Sequence, residues 1–305
     1  MHSVSRRAFF GGRRGSKSAW ETFCLQLERR VEGTLQRISN QQQSEQARLL
    51  PKTAADTHHA RDLCAAHGVC MALDGVPDAH ADLDQPVLWV DPIAHLNSFQ
   101  RLSAESPQWF VQPGCLVGEL EAAGLSAFAQ VPANLSVAAW LADRHHHYWP
   151  TGQTQGSGVV HASLLMADGS AASLGPFGTG NTKPLNCAAL RKLVPELFVL
   201  LASPFALSCL NRPEWLGRYR LDALRPADGA ELNLAHLLLG SGGDLGWVEW
   251  LVIDERLLDL PLAGPNEFPL WTDDDSVALQ ASEMDATLKT YFDPEGVFPH
   301  PSQDL

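Results

Sequence analysis

The chain has 305 residues, of which 45% are hydrophobic and 19% charged, a composition typical of a soluble globular protein with one large domain or two smaller ones. No apolar run approaches the roughly 20 residues needed to cross a bilayer. Residues 1–50 carry a net charge of +5 and residues 51–305 a net charge of −18. This acidic body argues against nucleic acid as the main partner.

The six cysteines show neither a C-x-x-C spacing nor the density of a secreted disulfide scaffold. We therefore expect all six to be buried apolar side chains in a reducing compartment. Residues 5–10, S-R-R-A-F-F, resemble the twin-arginine export motif, but the following G-G-R-R-G-S-K is not an apolar segment. This favours a basic arm that only looks like a signal, and it predicts a cytoplasmic protein.

A helical stripe of apolar residues follows the basic arm, and Ser18 with Glu21 forms a capping box at its start. The residues of the stripe are Trp20, Phe23, Cys24, Leu27, Val31, Leu35 and Ile38. Their spacing predicts one amphipathic helix that covers either the protein's own sheet or a partner subunit. Residues 40–46 read as a polar continuation of the helix or a linker.

The next elements predict an α/β lobe over about residues 51–107. A helix over 57–68 leads into a strand over 69–73, and a second strand follows at 87–90. A larger lobe of strands and helices is expected over about 108–258, with an apolar strand over 247–253. Residues 259–305 are expected to form a Pro-rich acidic connector and a helix over 276–291.

Residues 238–249, L-L-G-S-G-G-D-L-G-W-V-E, place four glycines between two apolar runs. Glycine adopts positive φ without steric cost, so taken alone the pattern predicts a tight turn between a helix and a strand. The segment also resembles the G-S-E-G-T-L-G-I-I-T motif of FAD-linked oxidases of the vanillyl-alcohol oxidase and p-cresol methylhydroxylase type. The matching residues are Gly240, Ser241, Gly243, Leu245 and Gly246.

Four further stretches resemble motifs of the same family in the same order, so the resemblance extends from about residue 55 to 299. They are a strand with a D-x-S-x-L-N-like end at 88–97, a V-x-P-G turn and helix at 111–124, an L-A-D-G-like hairpin at 164–170 and an F-D-P-x-G ending at 291–299. The resemblance implies an α+β fold: a two-lobed FAD-binding domain, most like the small FAD subunit of glycolate oxidase and related D-2-hydroxy-acid dehydrogenases.

The resemblance also implies where FAD would bind, in a slot lined by main-chain amides. The implied residues are Leu73, Asp74, Gly75, Pro113, Gly114, Ser136, Val137, Ala138, Ala139, Gly240, Ser241, Gly243, Gly246, Trp247 and Val248.

The chain departs from the family's pattern at several of these positions. The glycine-rich diphosphate cradle is reduced to A-L-D-G at 72–75, where Asp74 would oppose a diphosphate by about 4 kcal/mol at an effective dielectric near 20. Ala138 and Ala139 replace two glycines, each adding a methyl group where close backbone approach is expected. Trp247 replaces an isoleucine and could either stack on a flavin ring or fill its place.

Catalytic candidates are few, and no residue is assigned a catalytic role. The substrate domain that normally separates the family's two terminal parts is nearly absent. Residues 144–148, R-H-H-H-Y, are the conspicuous cluster of possible bases. Three consecutive histidines point in different directions, so we predict an exposed polar loop and no metal site.

Two functions follow from these observations. The first is a FAD-binding oxidoreductase-like protein, a subunit of a glycolate or D-2-hydroxy-acid dehydrogenase that transfers hydride from substrate to flavin and passes electrons to a partner. The second is a non-catalytic scaffold or partner subunit that keeps the fold, has weakened or lost flavin binding, and assembles through its N-terminal helix.

Overall fold

The computed structural model describes residues 18–38, 45–76, 85–178, 185–227, 229–261 and 275–300. Two sheets divide this part of the chain into two lobes, so the predicted α+β, two-lobed fold class is confirmed. The basic arm with its twin-arginine-like start, the acidic loop 77–84 and most of the connector after residue 261 lie outside the described residues.

The first lobe is built on a four-stranded sheet of order β1-β2-β4-β3, with β1 antiparallel to β2 and the remaining pairs parallel. Its elements are α1 (Ala19–Arg30), β1 (Thr34–Ile38), β2 (Gln46–Leu50), α2 (Ala54–His67), β3 (Cys70–Leu73) and β4 (Val87–Val90). The strand predicted over 87–90 has those bounds, and the strand predicted over 69–73 is β3.

The helix predicted to run to Ile38 is wrong, because α1 ends at Arg30. The capping box of Ser18 and Glu21 is present at its start. The chain then turns at Gly33, where an added Cβ would lie 2.2 Å from the Leu50 carbonyl oxygen. The buried Asp56 carboxylate accepts the amides of Glu32 (2.8 Å) and Gly33 (3.0 Å), and this long-range contact ends the helix.

The Asp56 carboxylate binds backbone amides of two separate segments, the turn after α1 and the residues just before α2. Besides the turn after α1, its carboxylate accepts the amides of Lys52 at 2.7 Å and Thr53 at 3.3 Å. Because β2 pairs with both β1 and β4, these strands belong to the sheet of the first lobe, and the boundary expected at residue 50 falls inside that lobe. The polar residue Gln46, expected to lie in a helix or linker, begins β2.

The second lobe is built on a five-stranded antiparallel sheet of order β5-β6-β9-β7-β8. Its strands are β5 (Phe99–Arg101), β6 (Gln108–Val111), β7 (Ser157–Leu165), β8 (Ala171–Leu174) and β9 (Trp247–Leu258). Its helices are α3 (Val117–Ala122), α4 (Val137–Ala142), α5 (Ala188–Leu201), α6 (Pro204–Leu210) and α7 (Asp275–Phe292). Because β5 pairs with β6, residues 99–107 belong to this lobe.

Three local predictions in the second lobe hold. The hairpin at 164–170 is the β7–β8 turn, the apolar strand at 247–253 is the first half of β9, and the helix predicted over 276–291 is α7. No single helix in the described ranges is long and apolar enough to cross a membrane. The consecutive helices α5 and α6, bent by 68°, pass that test of length and composition only as a pair.

Cysteine burial follows the prediction at five of the six positions, and all six thiols are free. Burial raises the pKa of Cys70 to about 12 and that of Cys209 to about 11, so these thiols stay protonated near neutral pH. Cys187 is the exception. It is half-buried and caps α5 by accepting the Leu190 amide through its sulfur at 3.5 Å.

The apolar face of α1 is expected to stabilise the first lobe. Phe23 and Leu27 are fully buried in its core, and the Phe23 ring lies 5.8 Å from the His67 ring of α2. Phe23→Ala should lower the free energy of unfolding by about 3 to 5 kcal/mol, measured by chemical denaturation. The control Leu279→Ala removes a side chain that is 62% exposed and should change stability by less than about 0.5 kcal/mol. Equal effects would show that α1 is not part of the core.

Candidate functional site

The structure brings most of the predicted flavin-binding segments together where the two lobes meet. The Ala138 amide at the start of α4 donates to the Pro113 carbonyl at 2.9 Å. A Cβ added to Gly243 would lie 3.2 Å from the Leu73 Cβ, so the end of β3 lies against the glycine-rich loop. Gly75, two residues after Leu73, faces open space, since a Cβ added there would meet nothing within 4 Å.

Three of the loop amides expected to face a ligand are instead bonded within the protein. The glycine-rich loop comprises residues 240–246. Its Gly240 amide donates to the Leu141 carbonyl at 2.8 Å, and its Gly242 amide donates to the Ala142 carbonyl at 2.9 Å. The Ser241 amide donates to the Leu238 carbonyl at 3.3 Å. The expectation of a slot of free main-chain donors in this loop is therefore corrected, because α4 lies directly against the loop.

The start of α4 follows the same pattern. Ser136 caps the helix and accepts the Ala139 amide through Oγ at 3.1 Å, while the Val137 amide donates to the Cys115 carbonyl at 2.8 Å. Ala138 and Ala139 are almost fully buried. Their methyl groups take part in packing where glycines would leave space.

The glycines of the loop are required by the protein's own packing. All four adopt positive φ, as predicted: Gly240, Gly242, Gly243 and Gly246. A Cβ at Gly240 would lie 3.0 Å from the Arg144 Cα, and one at Gly246 would lie 2.8 Å from the Leu165 carbonyl oxygen. Gly114 is similar, with a Cβ position 2.1 Å from the Pro92 carbonyl oxygen. Their lack of a side chain therefore serves contacts within the chain.

Trp247 fills space between the lobes. It begins β9, pairs with Leu165 of β7 and is 4% exposed. It belongs to the same apolar cluster as Leu73 of the first lobe and Ala138 of the second. The sequence left open whether Trp247 stacks on a flavin ring or fills its place. In the structure it fills that space. Val248, next along β9, is half-buried against the core of the second lobe.

Asp74 is balanced by a positive charge that the sequence did not indicate. Its carboxylate forms an ion pair with Arg48 of β2, and its amide donates to the Val90 carbonyl at 3.0 Å. The repulsion expected between Asp74 and a diphosphate is reduced accordingly. A polar bridge also joins the lobes nearby, where His58 Nε2 of α2 lies 2.8 Å from Glu249 Oε1 of β9.

A buried charge network holds the glycine-rich loop from the other side. The fully buried Lys289 of α7 donates to the Asp244 carbonyl at 2.7 Å, to the Asp293 carboxylate at 2.5 Å and to the Phe298 carbonyl at 3.3 Å. The Asp244 carboxylate pairs with Arg218 at 2.7 Å. Lys289 thus ties the loop to the C-terminal segment.

The C-terminal segment in turn belongs to the first lobe. Asp293, the aspartate of the F-D-P-x-G ending, accepts the amides of Val297 at 2.9 Å and Phe298 at 2.8 Å. The Val297 carbonyl accepts the Met71 amide of β3 at 2.8 Å. The sequence analysis did not identify Lys289, although its i,i+4 spacing to Asp293 was a usable signal.

The Arg144–Tyr148 cluster is not the exposed polar loop that was predicted. Arg144 donates to the carbonyls of Trp215 at 3.1 Å and Gly217 at 2.6 Å, and burial lowers its pKa to about 9. His147 is 2% exposed, and its Nε2 donates to the Trp140 carbonyl at 2.7 Å. Burial lowers the pKa of His147 to about 3. Arg144 and His147 therefore hold the fold through contacts with backbone carbonyls.

No group of three or more His, Cys, Asp or Glu side chains suited to a metal ion occurs among the described residues.

Buried His236, which the sequence analysis also missed, has hydrogen bonds at both ring nitrogens. Its Nδ1 accepts from Thr154 Oγ1 at 2.8 Å, and its Nε2 donates to the Val159 carbonyl at 2.9 Å. Its role is therefore structural.

Several solved structures resemble the chain. An alkyldihydroxyacetonephosphate synthase matches 68% of this chain and 32% of its own, at 13% identity and a TM-score of 0.37. A variant of the BBE-like 1 protein from Physcomitrella patens matches 76% of this chain and 44% of its own, at 12% identity and a TM-score of 0.44. The match to a 4-ethylphenol oxidase from Gulosibacter chungangensis, in an isoeugenol complex, covers 83% of this chain and 45% of the oxidase, at 10% identity and a TM-score of 0.46.

The chain spans between about a third and just under half of the length of these structures. Cholesterol oxidases are also among the matches. No protein-family model matches the sequence, and no curated protein matches it.

FAD, the cofactor that the resemblance implies, would have to displace contacts within the protein to enter the boundary between the lobes. The amides of Gly240, Ser241 and Gly242 in the loop already have partners, as do those at the start of α4, and Trp247 occupies the boundary that a ring would enter.

Lys289 is expected to be essential for stability. Lys289→Met leaves Asp293 buried without its counter-ion, which should lower the free energy of unfolding by about 3 to 5 kcal/mol in chemical denaturation. Lys192→Met is the matched control. Its side chain is 80% exposed, so the expected change is below about 0.5 kcal/mol. Similar losses for the two variants would contradict a special role for the buried lysine.

Asp285 should make the protein less stable as pH rises. Burial raises the pKa of this carboxyl to about 7, against about 3.9 in the unfolded chain. Between these two pKa values the folded state binds more protons than the unfolded state, so stability falls with rising pH. The stability of Asp285→Asn relative to the unmodified protein should therefore increase from pH 4 to pH 7. A constant difference across that window would rule out this titration.

Proposed function

We propose that this chain is a protein of the FAD-linked oxidase type whose flavin binding is weakened because its two lobes pack directly on each other. The single observation that supports this most is the internal bonding of the Gly240 and Gly242 amides to Leu141 and Ala142. For FAD to reach those amides, the contacts between α4 and the loop would have to open. The free energy of that opening would be subtracted from the binding of the cofactor.

A role as a partner subunit, without turnover of its own, fits this closed boundary. Only the 16 residues 259–274 separate β9 from α7, which leaves little chain for a substrate domain there. Assembly through the apolar face of α1 is not part of the proposal, because Phe23, Cys24 and Leu27 are already buried in the first lobe. A partner would have to bind elsewhere on the surface.

The second candidate is the flavin-carrying subunit of a glycolate or D-2-hydroxy-acid dehydrogenase. It is favoured by the convergence of separate motif segments at one boundary and by the ion pair that neutralises Asp74. In that case bound FAD would accept the hydride from the substrate. The chain's own contribution would be to position the cofactor between the lobes.

A titration with FAD distinguishes the candidates. The protein should be colourless after incubation with FAD and desalting, with no absorbance near 450 nm. Trp247→Ala should bind FAD more tightly than the unmodified protein in a flavin-fluorescence titration, because a weakened closed state raises the competent fraction. The control Trp109→Ala removes a similarly buried tryptophan, 6% exposed, from the outer part of the second sheet and should not improve binding.

Each outcome of this titration is decisive. Stoichiometric FAD retained by the unmodified protein supports the second candidate, which dye reduction with glycolate or D-lactate would then complete. If Trp247→Ala is folded by its melting curve yet binds no FAD, weakened binding is the wrong description and the cofactor site is lost.

A further inference from the structure

Two neighbouring cavities lie beside the end of β9, and residues 259–261 line both. The first, of about 510 Å³, is bounded by residues 126–131, His146 and the chain after Leu258. The second, of about 460 Å³, is bounded by Trp149, the loop at 153–156 and Ala230. Both volumes are within the range of small-molecule sites, and none of the residues implied for FAD lines either cavity.

The wall shared by the cavities is fixed in position by main-chain contacts. The Asp259 amide donates to the Gly156 carbonyl at 2.8 Å. A Cβ on Gly156 would lie 2.7 Å from the Asp259 carbonyl oxygen, so the two backbones are in direct contact. Leu258 and Leu260 pack against the core of the second lobe. The exposed side chain of Asp259 is therefore presented by a rigid support.

The electrostatic character of the cavities is negative. Among the described lining residues, Asp259 alone carries a formal charge at neutral pH. His146, whose side chain is 9% exposed, lies with Nε2 3.5 Å from the Asp143 carboxylate. Burial lowers the pKa of His146 below its usual value of 6.5, so it adds a hydrogen-bonding group but no positive charge. An anionic ligand would find no basic partner among these described lining residues.

The apolar part of the first cavity is supplied by Val131 and Leu258, next to the neutral His146. A ligand that uses these groups and Asp259 together needs a positive charge at one end and an apolar body at the other. Simple 2-hydroxy acids, which carry a carboxylate and little apolar surface, match neither requirement. The cavity lies outside the lobe boundary, so a ligand bound there is separate from the proposed function.

We propose that the first cavity binds a small organic cation, an amine with an apolar body, whose ammonium group pairs with Asp259 and whose body rests against Val131 and Leu258 beside His146.

The test compares three probes of matched size: phenethylamine, neutral 2-phenylethanol and anionic phenylacetate. Binding to the full chain is followed by saturation-transfer NMR and by calorimetry. Saturable binding is expected for phenethylamine and at least about tenfold weaker binding for the other two, which corresponds to about 1.4 kcal/mol. Equal binding of all three probes, or no binding of the amine, would overturn the proposal.

Two pairs of variants locate the site. Asp259→Asn should weaken phenethylamine binding about tenfold or more, whereas Glu121→Gln removes one charge from the exposed face of α3 and should leave it unchanged.

Ala129→Trp fills the mouth of the first cavity and should abolish binding, whereas Ala230→Trp fills the second and should not. The reverse result with the tryptophan variants would overturn the assignment to the first cavity. None of these readouts involves flavin, so failure here is separate from failure of the proposed function.

Discussion

The direct contact between the two lobes is the constraint on which the rest of this structure depends. Trp247 lies in one apolar cluster with Leu73 and Phe298, so the core of the first lobe continues across the boundary into the second. On the other side of the glycine-rich loop, Lys289 joins the loop to the C-terminal segment. Charge pairing at Asp244 and apolar burial at Trp247 thus act on neighbouring residues at the boundary between the lobes.

The same constraint explains why residues associated with a cofactor can be present without forming an open site. Glycines can be retained because backbone must approach a ligand or because backbone must approach backbone. At Gly240 and Gly246 the atoms that an added Cβ would meet belong to Arg144 and Leu165. The sequence signal is the same in both cases, and only the three-dimensional neighbours distinguish them.

The sequence predicts well those features that depend on local pattern. β4 and α7 are found within one residue of their predicted bounds, and the hairpin that the resemblance implied at 164–170 is the β7–β8 turn. The end of α1 could not be predicted, because it depends on Asp56 more than 20 residues away. Arg218 was missed for the same reason, since it pairs with Asp244 across a long separation in the sequence. Lys289 also binds Asp244 across a long separation, but its i,i+4 spacing to Asp293 was a local signal. The polar sequence R-H-H-H-Y likewise gave no indication that His147 is buried and donates to the Trp140 carbonyl.

The position of β2 in the first sheet has a consequence for how the N-terminal part of the chain can be studied. β4 lies between β2 and β3, and its residues Val87, Leu88 and Val90 are fully buried. A truncated chain that begins after residue 50 would leave β4 as a bare edge strand with unpaired amides and carbonyls. Such an edge is a template for intermolecular pairing. Aggregation of the shortened protein would then reflect a damaged sheet, and it would say nothing about whether the N-terminal segment recruits another subunit.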